Sequence, residues 1–325
     1  MVDFRYHVVS IVAVFLALGI GIVFGTTAIN RAILNDLDRN VSRLTTEKRD
    51  LDTRNRDLTD RASDADAWGE AVAPSLINGV LLGETVVVVS APGASRDVRD
   101  EVVEKLTAAG ARVTGRVRLS EELADPSRGA ELDDLVVREL PAGLTLPGTG
   151  ATAAQRAMAE IAYVVALDAT APVPAAPPPA TTRVLAGLRE RGFLAVDGGP
   201  VTPARNVVVV LPGAPPSPTP TPSPTATARP VGLELVAALA GLPRRPVVVA
   251  VAPTGGSVAG TQLETVRADD VLKENVSSVD DVDTIFGQTA LVLALRAARA
   301  GDVGHYGNGV GADAPVPTPA PAPTP

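Results

Sequence analysis

The stretch Thr85–Leu119, TVVVVSAPGASRDVRDEVVEKLTAAGARVTGRVRL, decides how the rest of this chain reads. Its opening run, Thr85–Ser90, is continuously apolar rather than alternating, which is how a strand buried on both faces of a parallel sheet reads. Val98, Val102 and Leu106 then recur at helical spacing across Arg96–Ala109, and Gly110 ends that helix. Ala111–Leu119 reads as a second strand. Strand, helix and strand at this spacing make one βαβ unit.

Toward the C-terminus the texture repeats. Gly192–Val196 (GFLAV), Asn206–Leu211 (NVVVVL) and Pro246–Val251 (PVVVAV) are further short apolar runs. Glu131–Leu140, Ala153–Leu167, Thr182–Arg191 and Val231–Ala240 carry helical patterns between them. The alternation predicts one Rossmann-like, mostly parallel α/β domain over residues 80–307. The last helix, Thr284–Ala300, is nearly apolar on all sides up to Arg296 and too short to span a bilayer, so it reads as buried. Asp281 or Asp283 is expected to cap its N-terminus and Gly301 to stop it. Three segments rich in Pro, Ala and Thr, at 170–181, 212–230 and 308–325, bury too little to fold and are expected to be two extended loops and a disordered tail.

Toward the N-terminus a heptad pattern precedes the domain, over residues 31–70. With Leu34 at position a, the a positions are Leu34, Val41, Lys48, Asn55 and Ala62, and the d positions are Leu37, Leu44, Leu51, Leu58 and Ala65. Leucine at d with a polar residue at a is the pattern of a parallel two-stranded coiled coil. Glu47 at g would face Asp52 at e of the partner, like against like, so the pairing would be modest in strength. The alternative is a single amphipathic helix lying on the globular domain.

Before the heptads, Val8–Ile29 carries no charge and is long enough to cross the roughly 30 Å hydrocarbon layer as a helix. It exceeds the roughly 7–15-residue core of a cleaved signal peptide, so residues 1–30 read as an uncleaved anchor. Gly21-x-x-x-Gly25 is a small-xxx-small pair within it. Lys and Arg counts favour a cytoplasmic bulk, because only Arg5 precedes the span. The Pro/Thr tracts and the indifference of long domains to flanking charge favour the opposite, a short cytoplasmic N-terminus with the bulk outside.

Candidate chemistry is sparse. The loop Ala91-Pro92-Gly93-Ala94-Ser95 follows the first strand, and Pro253-Thr254-Gly255-Gly256-Ser257 follows the Pro246 strand. Such loops lie where α/β proteins bind ligands, and Gly93, Ser95, Thr254, Gly255, Gly256 and Ser257 are the candidate contacts. Neither loop matches a dinucleotide or P-loop pattern, and Ser95 also reads as a plain N-cap. Asp269, Asp270, Asp280, Asp281 and Asp283 form an acidic stretch without EF-hand spacing. The chain has no Cys, two Met (Met1, Met158) and two His (His7, His305), so no nucleophile–histidine arrangement can be built and no cofactor is implied. A net charge of −8 argues against nucleic acid as a partner.

Three motifs carry a resemblance. The opening Arg5-Tyr6-His7-x-Val9-Ser10-x-x-Ala13-Val14-Phe15-Leu16-Ala17-Leu18-Gly19-Ile20-Gly21 resembles the start of the actinobacterial copper transport protein B (MctB) family. Ser277-Ser278-Val279-Asp280-Asp281-Val282-Asp283-Thr284 and Gly304-His305-Tyr306-Gly307 are similar to its C-terminal motif. The resemblance covers roughly residues 1–307 and implies an envelope protein described as a copper-export channel of the outer membrane. The residues themselves offer neither a copper-ligand set nor the long alternating strands of a barrel. Two functions follow. The resemblance implies a single-pass envelope component of copper export or homeostasis, with the membrane as partner, and the heptads add a second copy of the chain through the coiled coil. The architecture alone suggests a non-catalytic dimeric scaffold that recruits or regulates another envelope protein, such as a cell-wall hydrolase. An α/β enzyme acting on an anionic envelope substrate is the third, weakest reading.

Overall fold

In a computed structural model the chain is described over residues 4–148, 150–213, 229–243, 246–253 and 261–317, with side chains of the first helix described at 6–24, 37 and from 39 onward. The chain divides into two units, Met1–Ala65 and Asp66–Pro325. Helix α1, Phe4–Ile77, is continuous through the apolar span and the heptads. Tyr6–Phe24 has a mean hydropathy of 2.6 and none of it is buried.

The second unit is a mixed α/β fold. Its strands are β1 (Thr85–Ser90), β2 (Arg112–Leu119), β3 (Leu194–Val196), β4 (Asn206–Val210), β5 (Val247–Val251), β6 (Ser277–Val279) and β7 (His305–Tyr306). Its helices are α2 (Arg96–Ala108), α3 (Gly129–Glu139), α4 (Ala153–Val165), α5 (Pro179–Glu190), α6 (Val231–Ala240), α7 (Gln262–Ala268), α8 (Leu272–Asn275) and α9 (Ile285–Ala300). The strands form one sheet in the order β3-β2-β1-β4-β5-β6-β7. Every pairing is parallel except β2 with β3. The valine runs explain the centre of this sheet. Val87, Val89, Val207 and Val209 point into one core, while Val86, Val88, Val208 and Val210 point into the other. A side-chain period of two therefore feeds two apolar layers from the same strands. Each valine so buried contributes roughly 1.5 kcal/mol or more.

Helices α3 to α8 supply the first layer; the end of α1, α2 and α9 supply the second. Ala73 and Ile77, in the last turns of α1, are buried. That burial carries the helix beyond residue 70, where the heptad reading ends it.

Several expectations need correction. Gly192–Val196 is not an inner parallel strand: only Leu194–Val196 is extended, and it runs antiparallel at the edge. Asp197, just after it, is held by Arg99 of α2 (Nη1 to Oδ2, 2.8 Å). Segment 170–181 is not wholly extended, because its end forms the first turn of α5, with Pro178 at the N-cap and Pro179 beginning the helix. Proline suits that position, where its missing N–H would have no helical partner. Thr181 is buried there, with its hydroxyl on the Val164 carbonyl. Thr284, and not Asp281 or Asp283, caps α9 by accepting from the Gly287 N–H. Gly301 closes α9 in the left-handed conformation. Of the stretch 308–325, Asn308–Ala314 is folded onto the sheet edge, as described below. Residues 214–228 of the middle Pro-rich stretch lie outside the described residues.

Candidate functional site

The chain winds outward from β1 in one direction and from β4 in the other, so β1 and β4 form the switch point at which open α/β sheets bind ligands. The loop after β1 sits there. Gly93 has φ +80°, a conformation that favours glycine. A side chain on it would reach Pro212 of the loop after β4. Ser95 stands at the N-cap of α2, but its side chain makes no capping bond. The first turn of α6 packs closely against this loop and the end of β4. A Cβ on Gly232 would stand 2.7 Å from the Ala91 Cβ and 2.9 Å from Leu211 Cδ2. Thr254, Gly255, Gly256 and Ser257 lie outside the described residues.

The two C-terminal motifs meet elsewhere, at the opposite edge of the sheet. Ser278 on β6 pairs with His305 on β7, and Val279 with Tyr306. The Arg267 side chain enters from α7 and is the hub. It donates to Asp280 Oδ2 (2.8 Å), to Ser278 Oγ (2.8 Å) and to the carbonyls of Tyr306 (2.8 Å) and Val310 (3.2 Å). Asp280 also accepts the backbone N–H groups of Asn308 (2.9 Å) and Gly309 (3.0 Å). The His305 N–H donates to Asp313 Oδ2 (3.0 Å). Asp281 adopts a positive φ of 56° and accepts from the Asn308 amide at 3.2 Å. Burial, and then the neighbouring Asp280 charge, raise its carboxyl above the usual carboxylate range.

Only one tautomer of His305 satisfies this arrangement. Nε2 lies 3.2 Å from the Lys273 carbonyl, which can only accept, so Nε2 carries the proton. Nδ1 then accepts from the Ser278 hydroxyl (2.9 Å), whose oxygen accepts from Arg267. Burial holds the imidazole below its usual pKa, in keeping with a neutral ring. Both ring nitrogens are committed, and a metal could claim one only by breaking the network. His7 lies exposed on α1, Met158 is fully buried in α4, and Met1 is outside the described residues. Among the described residues no three His, Asp or Glu groups are placed to hold a metal ion.

A hollow of about 620 Å³ lies between the end of α1, α2 and the start of α9. Asp66, Glu70, Glu101 and Asp283 line it with Lys105, and Gln288 donates to Glu101 at 3.2 Å. On α1 the heptad residues are solvent-facing: Leu37, Val41, Leu44, Leu51 and Leu58 are 52–64% exposed, and Lys48 and Asn55 are exposed between them. The Leu34 side chain is outside the described set.

Sequence reasoning singled out the motifs around Ser278 and His305 by resemblance but missed Arg267, which holds them together. The local signal was the spacing of Ser278 on β6 and Asp280 just after it, legible only once β6 is known. It also missed Glu160, an unpaired carboxyl buried in α4.

Comparison with known proteins covers the same span as these features. The family described as "Copper transport outer membrane protein, MctB" matches residues 1–317. The copper transporter MctB of Mycobacterium tuberculosis (strain ATCC 25618 / H37Rv) is 30% identical over 321 residues, covering 96% of this chain and 98% of the relative. That of Mycobacterium leprae (strain TN) is 27% identical over 325 residues, with the same coverage. The apolar span, the heptad helix and both buried motifs all fall inside the match, and the chain belongs to the MctB family.

Proposed function

We propose that this chain is a membrane-anchored envelope component of copper export or homeostasis. The observation that carries the reading is the family match from the anchor to the folded C-terminal segment, residues 1–317. Copper is then cargo. Copper(I) prefers thiolate and thioether ligands, and the chain has no cysteine and only two methionines, so this reading does not call for a tight resident site. The relatives favour it over the scaffold reading.

The finer parts of the proposal rest on separate supports. The strand order about β1 and β4 supports a Rossmann-like domain. The solvent-facing heptad residues support a coiled coil and a homodimer. The exposed apolar span of Tyr6–Phe24 supports a single-pass anchor; the Pro/Thr tracts support placing the α/β domain outside the cytoplasm, within reach of another envelope protein. The protein acts without catalysis in this reading.

The test is deletion of the gene in its native host, with complementation by the full chain and by a chain lacking residues 1–30. Cell-associated copper should rise on deletion and fall back only with the anchored chain, while zinc stays constant. Unchanged copper content and copper tolerance on deletion would overturn the reading.

A further inference from the structure

We infer that α1 pairs with α1 of a second copy, parallel and in register, and that Lys48 at the centre of the seam is neutralised by Glu47 of the opposite chain. The inference specifies the dimer proposed above and rests on that part of the reading, not on copper.

The stripe Leu37, Val41, Leu44, Leu51, Leu58 is at least half exposed along its whole length. Leaving that much leucine and valine in water forgoes roughly 25 cal/mol per Å² of apolar surface. Ion pairs repeat beside it every seven residues: Arg43–Glu47 (3.5 Å), Asp50–Arg54 (2.8 Å) and Asp57–Arg61 (3.0 Å). Each joins position c to position g. The charged repeat is therefore in phase with the apolar one and keeps the g side chains alongside the seam. Such exposed pairs add only about 0.3–0.5 kcal/mol each, so their value is in placement.

Three further features name the occupant. A knob at position a enters a hole that includes the preceding g residue of the facing helix, so in a parallel pair Lys48 meets Glu47 of the other chain. The like-charge approach of Glu47 to Asp52 is thereby relieved, because two ammonium groups sit among those four carboxylates. Asn55 meets its own copy, an arrangement that specifies register. Direction follows from the apolar span on the same helix: with Tyr6–Phe24 of both copies in one membrane, the seams can only run the same way. A partner of different sequence would have to reproduce the charge pattern; a second copy supplies it.

The seam excludes one alternative contact. At 100° per residue, Gly21 lies about 160° around the helix from Leu37. Gly21-x-x-x-Gly25 is thus on the outer side of this pair.

The chain has no cysteine, which allows a direct test on the full-length protein in detergent. Single cysteines are placed at the seam (Leu44→Cys, Leu51→Cys) and on the outer face (Thr46→Cys, Thr53→Cys). They are oxidised with diamide, so that copper plays no part. Same-residue disulfides should form at least about tenfold faster at the seam, where the Cα atoms come within bonding reach. Lys48→Glu should slow Leu51→Cys crosslinking by about tenfold, and Glu47→Lys added to it should restore the rate. Gly21→Leu should leave all rates unchanged. Equal rates on both faces, or a monomer by mass in solution, would overturn the pairing. Insensitivity to Lys48→Glu would overturn the role of Glu47, and loss of crosslinking with Gly21→Leu would move the interface to the membrane face. Cell copper content is read separately, so failure of the dimer and failure of the copper reading are distinguishable.

Discussion

Arg267 and Asp280 lie 2.8 Å apart with side chains 2% and 0% exposed, and between them they bind three separated parts of the chain. Asp280 follows β6, Arg267 is on α7, and both reach the segment after β7. An ion pair this buried does not owe its presence to net Coulombic gain, since the desolvation of both charges opposes it. What it does is join β6, α7 and the segment at Asn308–Val310.

Removing one partner should therefore cost more than removing both. Asp280→Ala should destabilise the domain by about 3–5 kcal/mol, because a buried guanidinium and two backbone N–H groups lose their acceptor. Replacing Arg267 with Met in that background should recover part of the loss. Urea unfolding of the two variants beside the unaltered protein measures this, and equal destabilisation by the single and double variants would disprove it.

Glu160 makes stability fall as pH rises. Its side chain is 1% exposed and Oε1 has no partner. Burial, and then the Glu139 charge, push its carboxyl up to about 8. The unfolded carboxyl titrates near 4.3, so between these values the folded state holds a proton that the unfolded state does not. The contribution is complete below the unfolded pKa and is lost as pH rises through the folded one, at up to about 1.4 kcal/mol per pH unit. Glu160→Gln should remove this slope and be the more stable protein at pH 8. Parallel stability–pH curves for the two proteins would refute the assignment.

His305 titrates the other way. Its pKa is lowered by burial, so the stability it supports is present above the unfolded value near 6.5 and is lost as pH falls through the folded value. Its NMR titration midpoint should lie below that of a free histidine. Copper(II) added to the chain should leave its resonances in place. A shift of those signals at stoichiometric copper would show the network opening to the metal.

Thr284→Ala removes the cap of the buried helix α9 and should cost about 1 kcal/mol. Asp283→Ala should cost less, which separates the observed cap from the carboxylate expected at the sequence level. Thermal melts of the two variants decide between them.

Gly232 tests the packing of α6 at the switch point. Gly232→Ala should be strongly destabilising, since its Cβ would press on Ala91 and Leu211 within 3 Å. A folded Gly232→Ala protein with unchanged melting temperature would mean that α6 does not press on Ala91 and Leu211.

The legible parts of the fold are those with a strong local period. β1, β4 and β5 announce themselves as valine runs, and α2, α6 and α9 by apolar spacing with glycine stops. β6 and β7 do not, because strands of two or three residues containing Ser and His are too short to show an alternation. Leu194–Val196 was legible as a strand, but nothing within it says that β2 will be approached antiparallel. Of the buried cluster, Ser278, Asp280 and His305 stood in recognisable motifs. Arg267 carried no signal, since a lone arginine on a short helix reads as surface.

The sequence by itself determined the apolar span, the heptad phase, the alternation of strands and helices, and the family. Each is encoded by side-chain spacing along the chain, which acts before any distant contact forms. Only the tertiary structure decided the strand order, the close packing of Gly232 on Ala91 and Leu211, and the joining of Arg267, Ser278, Asp280, His305 and Asn308 into one polar network. The physical reason is desolvation. A polar side chain has no preferred partner while it is in water, and its pairing is chosen when the packing of the helices against the sheet removes the water.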